Sequence, residues 1–232
     1  MAKFYATGEA DIVGSTDLIS LPTVGAAPVT TNNFAVVNTT DYYDFYTETA
    51  PIALGSNIKS WSHLTYNGPF TTGKGEVDQM WKADSGDTYL LSDIIALFVT
   101  PGVVLGKTAF TEQEGNQFFF KFDDAIHGSD EDDMLCGWAG KDKIWGEEGD
   151  DEFYYGQGMG KDKIMDLNKK KDSVILDTDL VKNFNKLVGD VVLKNGKVVL
   201  KFSSSEKLVI YGIDNFSDLK KVVAFDDFTD FS

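Results

Sequence analysis

Arginine is absent from this 232-residue chain, so all 21 of its cationic residues are lysines. That argues against recognition of nucleic acid or phosphate, which favours planar guanidinium contacts and positive surfaces. The formal net charge of −16 points the same way, and cations are the natural partners of so acidic a chain. A single cysteine, Cys136, rules out an internal disulfide. Two histidines, His63 and His127, leave little material for a zinc site. The opening "MAKFYATGEADIVG" has no apolar core, so no cleavable secretory signal of the usual kind is expected there. The longest apolar run, "YLLSDIIALFV", is far too short to span a bilayer, and no transmembrane segment is expected. H-E-x-x-H and G-x-S-x-G are both missing, which removes the motifs of zinc proteases and of lipases.

What is present is distributed unevenly. Residues 1–118 hold 13 acids and 5 lysines, residues 119–172 hold 15 and 8, and residues 173–232 hold 9 and 8. These segments are the three expected domains, and the class expected is all-β with a few short helices. In the first, "FAVVN", "DYYDFYTET" and "VVLGKTAF" read as strands, and "SGDTYLLSDIIALFVTPG" reads as a helix stopped at Pro101-Gly102. In the third, "DVVLKNGKVVLKF" reads as a hairpin turned at Asn195-Gly196, and "KLVIYGI" as a third strand. "NFSDLKKVV" then reads as a short helix capped at Asn215 or Ser217.

The middle segment repeats. Asp124, Asp133, Asp142 and Asp151 are each nine residues apart, and Ile126, Leu135, Ile144 and Phe153 keep step two positions later. "YGQGMGKDKI" adds Asp162 and Ile164 after a two-residue insertion. Gly128, Gly137, Gly146 and Gly156 open the turns, and Gly140, Gly149 and Gly160 stand two residues before their aspartates. Each unit is a short strand with one inward apolar residue and a turn in which glycine supplies the unusual backbone angles. Two units make one coil of a parallel roll, which buries a ladder of Ile126, Leu135, Ile144, Phe153 and Ile164. Asp133 then lies over Asp151, while Asp124, Asp142 and Asp162 line the other edge. Like charges about 4 Å apart repel by roughly 4 kcal/mol at an effective dielectric of 20. A divalent cation between turns converts that repulsion into attraction, and an all-oxygen donor set suits Ca²⁺.

These units resemble the nonapeptide G-G-x-G-x-D-x-U-x repeats of RTX proteins, whose signature is a calcium-binding parallel β-roll. The resemblance covers about residues 119–177, and the Asp/Phe-rich C-terminus is similar to the family's cap and type I secretion signal. It implies a secreted, extracellular protein of bacterial type, exported by a type I apparatus, with about two to four calcium ions. The ligands it implies are first Asp133, Asp142, Asp151 and Asp162, then Asp124, Asp130, Asp132 and Asp150, with the turns at Gly128, Gly137, Gly140, Gly146, Gly149, Gly158 and Gly160. Trp138 and Glu147 depart from the pattern by standing where each turn has its second glycine, and Glu131 replaces a later one.

Residues 1–118 resemble no family and are expected to bear the specific activity. In "DYYDFYTET", a strand puts Tyr42, Asp44 and Tyr46 on one face, a surface suited to a carbohydrate or other cell-surface ligand. Adhesion is the leading expectation. The alternative is a small secreted hydrolase or lyase using His63 in "WSHLTYNG" or a pair among Asp41, Asp44, Glu48, Glu76 and Asp78.

Overall fold

The computed structural model describes residues 119–187 and 191–228 continuously. Before them it describes residues 88 and 117 and seven strands: β1 (Ala2–Ala6), β2 (Leu18–Ser20), β3 (Asn33–Val37), β4 (Asp41–Thr47), β5 (Ile58–Thr65), β6 (Glu76–Lys82) and β7 (Ala109–Thr111). The protein is mainly β. Strand β4 is the tyrosine-rich stretch, and it pairs antiparallel with β3 and β5. His63 lies in β5, in register with Tyr43 and Gln79. Apart from Ile58, Lys59 and Lys82, the side chains of these strands lie outside the described residues, as does the helix expected around residues 85–102 apart from residue 88.

The glycine–aspartate array forms five short strands: β8 (Asp124–His127), β9 (Met134–Cys136), β10 (Lys143–Trp145), β11 (Glu152–Tyr155) and β12 (Lys161–Ile164). Five strands and a helix follow with β13 (Ser173–Asp177), β14 (Val191–Leu193), β15 (Lys197–Lys201), β16 (Lys207–Tyr211), α2 (Phe216–Val222) and β17 (Val223–Asp226). A single helical turn, α1 (Phe184–Leu187), precedes β14.

Successive repeat strands alternate between two sheets, so each pair of units is one coil. In one sheet β8, β10, β12 and β16 are parallel neighbours, and in the other β9, β11, β13 and β17 are. The period explains this. Nine residues suffice for a three-residue strand and a turn, so residues two units apart meet in register, as Ile144 does with Ile126 and Phe153 with Leu135. The inward ladder of Ile126, Leu135, Ile144, Phe153 and Ile164 is at most 2% exposed. Each such side chain contributes about 1.5–3 kcal/mol by leaving water.

Both ends of the β8–β10–β12 stack are paired with strands from outside the repeats. At one end β1 pairs in parallel with β8, Phe4 in register with Ile126, and antiparallel with β6, which leads on to β5, β4 and β3. One sheet thus runs from the repeats into the N-terminal strands, and β1 removes the open edge that β8 would otherwise present. At the other end β16 pairs in parallel with β12 and antiparallel with β15, and β15 pairs with β14 through the Asn195-Gly196 turn. Both turn residues have positive φ, 52° and 71°, as a two-residue hairpin requires.

Asn215, not Ser217, caps α2: its side chain accepts a hydrogen bond from the Asp218 N–H at 2.9 Å. Asn215→Ala is expected to cost about 1 kcal/mol, read as a lower urea midpoint with an unchanged slope. Lys169 Nζ, in the last turn of the array, donates to Asp218 Oδ2 at 2.8 Å and ties α2 to the coils. Among the described residues no helix is long and apolar enough to cross a membrane.

Candidate metal centre

The aspartates stack in two columns. In the first, the Asp124 N–H donates to Asp142 Oδ1 at 2.7 Å, and the Asp142 N–H donates to Asp162 Oδ1 at 3.0 Å. In the second, the Asp133 N–H donates to Asp151 Oδ1 at 3.1 Å, and the Asp151 N–H donates to Asp172 Oδ1 at 3.3 Å. Asp124, Asp133, Asp142, Asp151 and Asp162 are each 1% exposed. Each rung therefore uses one carboxylate oxygen to hold the backbone of the coil before it. The second oxygen of Asp142 and of Asp151 is buried, and no hydrogen-bond donor among the described residues reaches it. An ionised oxygen left so costs far more than one in water, unless a cation sits against it.

The glycines make room for these carboxylates. A Cβ on Gly137 would stand 2.7 Å from Asp142 Oδ2, and one on Gly146 would overlap Asp151 Oδ2. A Cβ on Gly128 would crowd Asp133 Oδ2 in the same way. Gly140, Gly149 and Gly160 have φ of 152°, 128° and 86°, and each lies against a carbonyl oxygen of the preceding coil: Phe122, Glu131 and Gly140. Carboxylates and turn carbonyls are thus packed together. Among the described residues no group of three or more His, Cys, Asp or Glu side chains could hold a metal ion on its own, and the oxygens that lie together here are carboxylate and main-chain ones. That donor set fits Ca²⁺ and does not fit zinc.

Burial pushes the Asp151 carboxyl up to about 7, helped by the nearby Asp172 and Asp133 carboxylates. Asp142 and Asp162 are raised too, chiefly by burial, with the mutual repulsion of the two groups adding to Asp142. In a metal-free molecule these groups hold protons where ordinary carboxyls are ionised.

The flanking acids are placed differently. Asp130, Asp132 and Asp150 are exposed. Asp132 Oδ1 accepts from the Asp150 N–H at 2.8 Å, and Asp150 pairs with Lys171 at 3.2 Å. Gly158 lies at an outer turn, where its N–H donates to Glu206 Oε1 at 2.8 Å. Ser129 takes the second-glycine position of the first turn, and its N–H donates to Asp133 Oδ2 at 2.6 Å.

Trp138 and Glu147 adopt the left-handed angles that glycine would have taken, with φ of 55° and 70°. Each such residue costs roughly 1–2 kcal/mol. Contacts accompany both exceptions. Trp138 packs on the core, and its main-chain N–H donates to Cys136 Sγ at 3.4 Å. Glu147 accepts from His127 Nδ1 at 2.8 Å, and the His127 ring stacks on Trp145 at 4.3 Å. Cys136 is buried, which pushes its thiol up and keeps it an inert packing group.

The spacing reading misses two acids of this centre. Asp172 is the next rung of the second column, preceding buried Val174 by two residues as every unit requires, but without a glycine turn before it. Asp166 accepts from the Gly146 and Glu147 N–H groups at 3.0 and 3.1 Å, holding the turn of the coil before.

No protein-family model matches the sequence, and no curated protein matches it. Among solved structures, the extracellular lipase LipA from Serratia marcescens is similar with a TM-score of 0.34 and 12% identity, over 84% of this chain. This chain spans 31% of that lipase, and a likeness of this degree says nothing about a shared site or activity.

Proposed function

We propose that residues 119–172 are a calcium-binding roll of RTX type in a secreted protein, and that calcium controls its folding. Residues 173–232 act as its cap and carry a type I secretion signal, and residues 1–118 bind a surface or matrix polysaccharide. Where calcium is scarce, the two aspartate columns keep the coils apart and the chain exportable. Outside the cell, Ca²⁺ neutralises the columns, and its binding free energy becomes folding free energy. The observation that carries this reading is the pair of buried carboxylate oxygens, on Asp142 and Asp151, that no donor among the described residues reaches. The pairing of β1 with β8 supports a link between the roll and the N-terminal strands.

The test is calcium titration into metal-free protein, followed by circular dichroism and by heat. A cooperative gain of β structure with a heat of binding is expected. Asp142→Ala should raise the calcium midpoint about tenfold or more, because it removes a ligand and a rung together. Asp84→Ala, outside the array, should leave it unchanged. No gain of structure and no heat would end the proposal.

A further inference from the structure

The outer face of the larger sheet gathers lysines that the calcium reading does not use. Register places Lys143 beside Lys163, and Lys161, Lys207 and Lys201 in one row across β12, β16 and β15. Lys197 ends the next row but one, 5.1 Å from the Tyr211 ring centre. All six point outward, because the residues alternating with them are buried: Asp162, Ile144, Ile164, Leu208, Ile210, Val198 and Leu200. The row of Lys143 and Lys163 continues through Ala125 to the register positions of Lys3 on β1 and Lys82 on β6.

Among the described residues none of the six has a carboxylate at ion-pair distance. The acids at the margins are engaged elsewhere: Asp123 pairs with Lys141, Glu147 with His127, and Glu206 accepts from Gly158. Like charges directly opposite on adjacent strands are destabilising. A chain of net charge −16 has ample acid to pair with these lysines, yet it leaves them together on one face.

We propose that this face binds an acidic polysaccharide through its carboxylates. Lysines on neighbouring strands recur every 4.7–4.9 Å or a multiple of it, which presents a linear polymer with a regular ladder of point charges. Half-buried lysine stems leave the ammonium groups in water, where they exchange partners easily. Trp145, half-buried and stacked on His127 in the row next to the Lys143–Lys163 row, puts aromatic surface beside these lysines. Duplex DNA fits worse, since its one charge per about 1.7 Å is repelled by the acidic remainder of the molecule and no arginine fork is present. This site lies on the roll and its cap, and it stands whether or not residues 1–118 bind a ligand of their own.

The experiment titrates short hyaluronan and galacturonate oligosaccharides into the calcium-loaded full-length protein. Binding to at least one is expected, weakening steeply as salt rises, and absent for neutral dextran. Lys143→Gln/Lys163→Gln should weaken it about tenfold, and Lys201→Gln/Lys207→Gln, on other strands, by a similar factor. Lys182→Gln/Lys220→Gln, exposed but off this face, should leave it unchanged. Three outcomes would overturn the proposal: neither acid oligosaccharide binds at low salt, the off-face pair loses as much as the others, or duplex DNA or anionic vesicles bind as tightly through the same lysines.

Discussion

Gly149→Ala is expected to destabilise the roll by roughly 3–5 kcal/mol and to raise the calcium needed for folding. Two effects add. The residue has φ of 128°, a conformation closed to alanine without strain, and its new Cβ would overlap the Glu131 carbonyl oxygen. That oxygen belongs to the main chain of the coil before, so it yields only if the coils separate. With two ions taken up per folding event, 3 kcal/mol moves the calcium midpoint about tenfold. Gly158→Ala is the control. Its φ is 83°, but nothing lies within 4 Å of its would-be Cβ. It should cost only the backbone strain, about 1–2 kcal/mol. Calcium titrations of both variants, read by circular dichroism, give the comparison. Equal losses at the two positions would mean that the coils are not packed turn on turn.

Metal-free protein should be more stable at pH 5.5 than at pH 8, the reverse of the usual behaviour of aspartates held by cations. The sign follows from the raised carboxyls. In the unfolded chain an aspartate titrates near 3.9. Asp151 in the folded molecule titrates near 7, because burial opposes its charge. Between those values the folded state binds the proton that the unfolded chain has released, so stability falls as pH rises from about 4 to about 7. Asp142 and Asp162 act in the same direction. Bound calcium should invert the trend, because protons then compete with the ion and its midpoint drops as pH rises. Urea unfolding after chelation and dialysis, at both pH values with and without calcium, reads all four states. Greater stability at pH 8 without metal would refute the assignment of these carboxyls as buried and uncompensated.

Much of the centre is legible in the chain because its signal is a period. Aspartates nine residues apart, with an apolar residue two positions on, can close on one another in only one way. The two columns and the inward ladder follow from that spacing without any long-range information. Asn195-Gly196 is legible for a similar reason, since two residues of positive φ leave the chain little choice but to double back. Trp138 and Glu147 show that the backbone angle belongs to the position: the repeat imposes it, and a non-glycine residue accepts the strain. Asp172 escapes the period because its turn has lost the glycines while its rung is kept.

Sequence alone thus determined the coil, its buried ladder and the stacking of acids that invites a cation, since all three depend on residues within about two repeat lengths. Tertiary structure decided what lies at the ends and on the faces. That β1 pairs with β8 follows from contacts between residues more than a hundred positions apart, which no local pattern encodes. The lysine face is likewise assembled from β10, β12, β15 and β16, each contributing one or two residues that look ordinary in their own strands. Whether an aspartate is a solvated charge or a proton-holding acid depends on its burial, and burial exists only once the coils have closed.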